Sequence, residues 1–365
     1  YHRGYQTALS NMVEMQSNSF RAEDVVFNFD RPEARQELKV GDRFSVGFIS
    51  ESGSDSRLTS EQPRDPSDSR VNVRAFVVTD SITDATSASL HYKDPNALAL
   101  GFSESDRTRM DRGLVKSNLQ NPYAAFAATD GYASIIETPG FGGTVRVAGF
   151  FGHEGGRQKA DARNFGSQAE LAYKLDSSSK ISLAFGALFE NGSVLGTVGS
   201  GAFKLGNGTM TMYSGIGGSY QLDAKTTLRG AMYAGWTKPS LANDSLITGM
   251  SNLITTAFNM GIERRELAQK GDVFSFSVAQ PLRVENGSMQ FNLPYARDDV
   301  SDVVYSTNLT QDMGSKGREI DLEAVYAFPV EDDTSLSFGG VYRHDAGHVA
   351  GKEDVLGVLR VTRKF

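Results

Sequence analysis

From about residue 121 onward, apolar and polar positions alternate along the chain. In "TVRVAGFF" Val145, Val147 and Phe151 share a face opposite Arg146 and Ala148. In "AELAYKL" Ala169, Leu171, Tyr173 and Leu175 oppose Glu170 and Lys174. "ISLAFGALFE", "TMTMYSGIGGSYQL", "TLRGAMYAGW", "TTAFNMGIE", "DVFSFSVAQ", "SMQFNLPY", "REIDLEAVYAF" and "SLSFGGVYR" repeat the pattern. The closing "GVLRVTRKF" continues it, with Val355, Leu359, Val361 and Phe365 two or four positions apart. A period of two is the signature of strands with one apolar face. "REIDLEAVYAF" is the most informative: Ile320, Leu322, Ala324, Tyr326 and Phe328 form one stripe, and Glu319, Asp321 and Glu323 the other. Elsewhere the polar faces are small as well as charged, with many glycines, which suits a crowded interior or the close approach of another chain.

The connections carry a second signal. "KLDSSSKI", "YQLDAKTT" and "FPVEDDTS" are short, whereas "HEGGRQKADARNFG", "WTKPSLANDS" and "YARDDVSDVVYSTNLTQDMGSKG" are long and polar. Short turns at one rim and long loops at the other are expected of an up-and-down barrel of about 12 strands. The parity does not close with the strands above. Either "VVYSTNLTQ" is an additional strand or one short turn lies on the far rim. The first 120 residues read differently. "GYQTALSNMVEMQ" suits a short helix, and "DRFSVGFIS", "RVNVRAFVV" and "SASLHY" read as strands around a Ser- and Pro-rich loop. "SESDRTRMDRGLVKSNLQ" suits a helix capped by Ser103 or Ser105 and stopped at Asn121-Pro122.

Composition narrows the function classes. The chain has 365 residues and a net charge of -7, so no basic field suggests nucleic acid. It has no cysteine, which excludes disulfides, thiolate metal sites and cysteine nucleophiles. No apolar run approaches the roughly 20 residues of a membrane helix. Mean hydropathy is -0.33, which reads as soluble. A β-barrel defeats that reading, because lipid-facing and lumen-facing residues alternate and average out. The opening "YHRGYQTALSNMVEM" lacks a basic region followed by an apolar block, so a mature or processed fragment is expected.

Linked motifs then carry a resemblance: "ENGSVLGTVGSGAF" (190–203), "IERREL…GDVFSFSVAQPLRVENGSM" (262–289), "GREIDLEAVYAFPV" (317–330), "YRHDAGHVAG" (342–351) and a terminal Phe. Over 190–365, and more weakly back to "NPYAAF" at 121, the chain resembles the C-terminal translocator domain of subtilisin-type autotransporter serine proteases. The resemblance implies an all-β fold: a transmembrane antiparallel β-barrel, preceded by a passenger remnant (1–102) and a linker helix (103–120) threaded in the pore, with the barrel at 121–365. It implies type V secretion across the outer membrane of a Gram-negative bacterium. The partners would be outer-membrane lipids and lipopolysaccharide, the barrel assembly machinery and the chain's own subtilisin-like passenger. That protease would lie upstream of residue 1. No catalytic triad is placed in this chain, and no cofactor or metal is expected. Phe365 would be the assembly signal. Arg363 departs from the pattern, standing third from the end where an apolar or aromatic residue is commoner.

Within that frame, Glu319, Asp321 and Glu323, with Glu170 and Glu263, are expected on the lumen face. They are either a solvated polar surface or the wall that holds a basic linker face of Arg107, Arg109, Arg112 and Lys116. "HDAGH" places His344 and His348 four apart, but a strand-and-loop context does not converge two rings on a metal as a helix would. "SNLQNPY" is a plain linker with a Pro stop or a cleavage point at Asn118 or Asn121. Asn286-Gly287 reads as a hairpin turn, with Arg283 and Glu285 at its rim. The rival functional readings are a passive porin or structural barrel, with residues 1–120 as plug or extra strands, and a soluble β-rich surface domain.

Overall fold

The computed structural model describes residues 33–40, 43–51, 72–83, 85–92, 121–123, 130–153, 163–199, 201–331 and 334–363. The strands are β1 (Glu33–Val40), β2 (Phe44–Glu51), β3 (Asn72–Asp80), β4 (Ala85–Tyr92), β5 (Asp130–Gly140), β6 (Gly143–His153), β7 (Arg163–Lys174), β8 (Ser179–Asn191), β9 (Ser193–Val194) and β10 (Thr197–Val198). There follow β11 (Asn207–Asp223), β12 (Thr226–Lys238), β13 (Ile247–Met250), β14 (Leu253–Arg265), β15 (Val273–Asn286), β16 (Ser288–Arg297), β17 (Val304–Asp312), β18 (Ile320–Glu331), β19 (Thr334–His344) and β20 (Glu353–Arg363). Fifteen form one sheet in the order β1-β2-β3-β4-β5-β6-β7-β8-β11-β12-β14-β15-β18-β19-β20, every neighbour antiparallel. The fold is the expected all-β, barrel-type meander.

The strand number is fifteen rather than about twelve, because residues from the N-terminal third join the wall. β4 runs along β5 from Thr86↔Glu137 to Tyr92↔Gly131, so β1–β4 and the later strands are one sheet. β1 and β5 were not anticipated from the alternation. The segments 4–16 and 103–120, expected as helices, lie outside the described residues, as does Phe365.

The parity problem resolves in the loops. β16 leaves the wall and pairs instead with β13 and β17 in a separate three-stranded sheet. "VVYSTNLTQ" is indeed a strand, β17, but not a wall strand. With β16 and β17 removed from the wall, the seven shortest connections between consecutive wall strands, of two to seven residues, all fall on one rim: β1–β2, β3–β4, β5–β6, β7–β8, β11–β12, β14–β15 and β18–β19. Asn286-Gly287 is therefore no hairpin turn. It is where the chain steps out of the wall, and a Cβ at Gly287 would overlap the Leu253 side chain. The β5–β6 turn is of the mirror-image kind that right-twisted strands favour, with Phe141 and Gly142 both at positive φ (52 and 78).

Side chains alternate as the sequence requires, but the usual assignment of faces is inverted. Phe185 and Met260 are each 63 % exposed on one face, whereas Thr211, Thr237 and Thr255 are fully buried on the other. The exposed row carries aromatics near both ends of the strands. Phe151, Phe165, Phe189 and Trp236 lie toward the long-loop rim; Tyr173, Tyr220, Phe276, Tyr326, Phe328 and Phe338 lie toward the short-turn rim. Phe165 and Phe189 are register partners with rings 6.2 Å apart. Tyr326 lies 5.5 Å from Phe328 and 5.6 Å from Phe338.

An apolar core sits beyond the long-loop rim, not between sheet layers. Val194, Leu205, Ile247, Leu253, Val284, Met289 and Phe291 are buried together there, with Phe203 edge-on to Phe291 at 6.1 Å.

Candidate functional site: the inner face of the wall

Glycines shape the inner face. Gly166 faces Phe150, Gly186 faces Tyr213, and Gly215 faces Tyr233, each pair directly opposite in the ladder. A Cβ at any of these glycines would overlap the ring. Each aromatic thus lies flat across its neighbour strand, an arrangement only a missing side chain allows. Tyr213 leans onto Gly186, although it is also the register partner of Gly235 on the other side. The space over Gly235 is taken by Tyr123, from the connection between β4 and β5.

That segment is held from three directions. The rings of Tyr123 and Tyr213 stack with centroids 4.3 Å apart and planes 11° from parallel. The Tyr123 hydroxyl is 2.9 Å from Thr255 Oγ1 on β14. Asn121 Nδ2 donates to the Tyr213 hydroxyl (2.9 Å), and Asn121 Oδ1 accepts the Tyr123 N–H (2.9 Å). Tyr123 is fully buried and Asn121 nearly so. In the sheet order β5 lies four places from β11. The seat of Asn121–Tyr123 is therefore four strands away from the strand that follows it in sequence. Both side-chain amide atoms of Asn121 are engaged. The sequence marked Asn121-Pro122 only as a helix stop or cleavage point; the glycines of β8, β11 and β12 were the readable sign of a docked segment.

Charges on the inner face are arranged as acid–arginine–acid triads across three adjacent strands. Glu137, Arg146 and Glu170 are register partners on β5, β6 and β7. Arg146 donates from Nη2 and Nε to Glu137 (2.7 and 2.9 Å) and from Nη1 to Glu170 (3.2 Å). Asp321, Arg343 and Asp354 repeat this on β18, β19 and β20, with ion pairs of 3.9 and 3.5 Å. Of the expected acidic face, Glu170 and Asp321 thus take arginines of the wall itself. Glu263 pairs with Arg265 two residues along its own strand (3.2 Å). Glu323 stands beside Ser277 and Val341 in the ladder. Glu319 is buried at the rim, where its carboxylate accepts the Gly347 N–H at 2.7 Å. Glu319, Asp321 and Glu323 are neighbours, and Glu170 on β7 and Glu263 on β14 lie apart from them. Their expected partners Arg107, Arg109, Arg112 and Lys116 lie outside the described residues. The sequence missed Glu137 and Arg343 as partners because cross-strand register is not visible in one strand.

Two loop carboxylates organise the rims. Asp272, between β14 and β15, accepts the N–H groups of Leu267 (2.6 Å), Ala268 (2.8 Å) and Gln269 (2.7 Å) and the Tyr326 hydroxyl (2.6 Å). Burial works most strongly against its charge, yet these hydrogen bonds together outweigh it and hold its pKa down at about 2. Glu190, fully buried at the end of β8, accepts from Ser193 Oγ (3.0 Å) and the N–H groups of Leu195 and Gly196 (both 2.8 Å), shaping the β9–β10 hairpin.

His344 and His348 do not converge. His344 is exposed beside Asp345 (3.6 Å), His348 is buried with both ring nitrogens engaged, and among the described residues no cluster could hold a metal ion.

No family model and no curated protein matches the chain in sequence. In structure it is similar to an anion-selective porin from Comamonas acidovorans, with 13 % identity over 90 % of this chain and 84 % of that one and a TM-score of 0.45. It is also similar to OmpT, an outer membrane protein of Vibrio cholerae, with 8 % identity over 90 % of this chain and 83 % of that one and a TM-score of 0.48.

Proposed function

We propose that the chain is an outer-membrane β-barrel translocator of the autotransporter type, which exports an N-terminal subtilisin-like passenger and has no catalysis of its own. Its partners in this reading are outer-membrane lipids and lipopolysaccharide, the assembly machinery that receives the C-terminal strand, and the passenger. The inverted faces support the membrane part. Each outward Leu, Phe or Met gains about 2 kcal/mol on leaving water, and the patch repeats on every wall strand from β6 to β20, far beyond what a soluble monomer leaves exposed. From Phe165 to Tyr173 the strand rises about 26 Å, which a tilt of about 40° reduces to about 20 Å, near the height of a bilayer's apolar band.

The docked Asn121–Tyr123 segment carries the translocator part, because the inner face is built to seat a stretch of chain. The test is export. A peptide epitope fused ahead of residue 1 should become protease-sensitive on intact cells only when the barrel is folded. An epitope that stays in the periplasm beside a folded barrel sinks the reading.

A passive porin is the second reading, favoured by the membership of β1–β4 in the wall. It requires a steady open conductance in planar bilayers, whereas a barrel plugged at Tyr123 conducts little until that segment leaves.

A further inference from the structure

The connection between β19 and β20 is wound tightly over the long-loop rim. Asp345, Gly347, His348 and Gly351 all have positive φ (53, 68, 58 and 79). The two non-glycine residues are held there at a cost, so their side-chain contacts must compensate. Asp345 accepts the N–H groups of Gly351 (2.7 Å) and Arg318 (3.0 Å), and Glu319 accepts that of Gly347.

His348 adds a backbone tie, its carbonyl accepting the Gly317 N–H at 3.1 Å, and two bonds from its ring. Its Nε2 lies 3.0 Å from the Leu282 carbonyl on β15, which can only accept, so Nε2 carries hydrogen. Its Nδ1 accepts the Glu319 N–H at 3.1 Å, ahead of β18, so Nδ1 carries none. One neutral tautomer satisfies both bonds. A proton added at Nδ1 would point at the Glu319 N–H, donor against donor.

We propose that His348 is a proton-operated latch, and that protonation of Nδ1 displaces the Glu319 amide and releases the β19–β20 connection from the ends of β15 and β18. The charged groups facing it are Glu319 ahead of β18, Arg283 and Glu285 on β15, Arg318 in the loop, and His344 and Asp345 beside it. Arg283 and Arg318 both bond to Glu285, which leaves that carboxylate neutralised, and Arg283 also donates to the Ser315 and Gly317 carbonyls. Asp345 keeps its charge in mild acid, because the Gly351 and Arg318 N–H groups hold its pKa below the ordinary value. A protonated His344 would strengthen its pair with Asp345 and so does not account for release. Burial holds the His348 pKa below its ordinary value, against the upward pull of the Leu282 carbonyl and Glu319. The folded state therefore prefers the neutral ring. The latch is fully present above the ordinary imidazole pKa and is lost as pH falls through that value toward the lowered one.

Hydrogen exchange on the full chain, folded in detergent micelles, tests this at about pH 7.5 and about pH 5. Protection of peptides covering 313–320 and 345–352, corrected for intrinsic exchange, should fall about tenfold in the wild type. It should fall equally in His344→Gln and show no such step in His348→Gln. An unchanged wild-type protection, or a step that survives in His348→Gln, overturns the proposal. Should His348→Gln fail to fold, 15N spectra of the wild-type imidazoles decide. A neutral His348 protonated on Nε2 that titrates together with the amide of Glu319 supports the latch, and a ring protonated on Nδ1 at neutral pH refutes it.

Discussion

Single residues fix where the chain turns and what the inner face holds. Asp176, Asp223 and Asp272 each tie a hairpin on the short-turn rim by accepting N–H groups two to five residues away. For Asp272 the folded pKa of about 2 lies below the ordinary 3.8, so its stabilisation is complete above that ordinary value and drains away as pH falls from there to about 2. Asp272→Asn should therefore lower the urea midpoint of the folded band at neutral pH, and the gap to wild type should close in that acid window. Tyr123 offers a second handle. Tyr123→Phe removes only the bond to Thr255 and should cost about 1 kcal/mol. Gly235→Ala places a Cβ against the Tyr123 hydroxyl and Thr255 Oγ1. It should expel the segment while leaving the wall intact, read as a rise in bilayer conductance. These residues were only half legible in the sequence. The glycines announced a crowded face, but nothing in "QNPY" says which glycine its tyrosine will cover, since that contact spans more than a hundred positions.

Pairs of strands, not single strands, set the electrostatics. In each triad the arginine is central and its two acids lie on the flanking strands, so the arginine is compensated sideways through the ladder and each set keeps one net negative charge. Removing Arg146 leaves Glu137 and Glu170 close together without their cation. Arg146→Met should destabilise by about 2 kcal/mol, and adding Glu137→Gln and Glu170→Gln should recover most of it. A double-mutant cycle on the unfolding midpoint checks the coupling. A single strand shows which face is polar but hides its partner, which is why "REIDLEAVYAF" read either as a solvated polar surface or as a wall for a basic segment. Register supplies Arg343 to Asp321, a partner from the next strand.

At the scale of the whole molecule, the alternation and the asymmetry of turn lengths were enough to specify an all-β meander. They failed on strand count where strands lie in loops or follow poorly alternating stretches: β16 and β17 were legible as strands but not as strands of another sheet. The single tryptophan reports on the outer surface. Trp236 sits outward near the long-loop rim. In reconstituted vesicles its emission should be quenched more by lipids brominated near the headgroup than by those brominated at the chain ends. Equal quenching by neither label would remove the wall from the bilayer. The number fifteen has a consequence of its own. In an up-and-down order of odd length the first and last strands run the same way. A seam that joins β1 to β20 edge to edge is therefore parallel, unlike every other junction in the sheet. An antiparallel seam needs a strand of opposite sense, and β4 supplies one: shedding β1–β3 leaves a ring of twelve. Because the chain has no cysteine of its own, pairs introduced on β20 with either β1 or β4 would cross-link only across the junction that exists. The answer fixes how wide the ring is and which stretch of the N-terminal third is free to leave it.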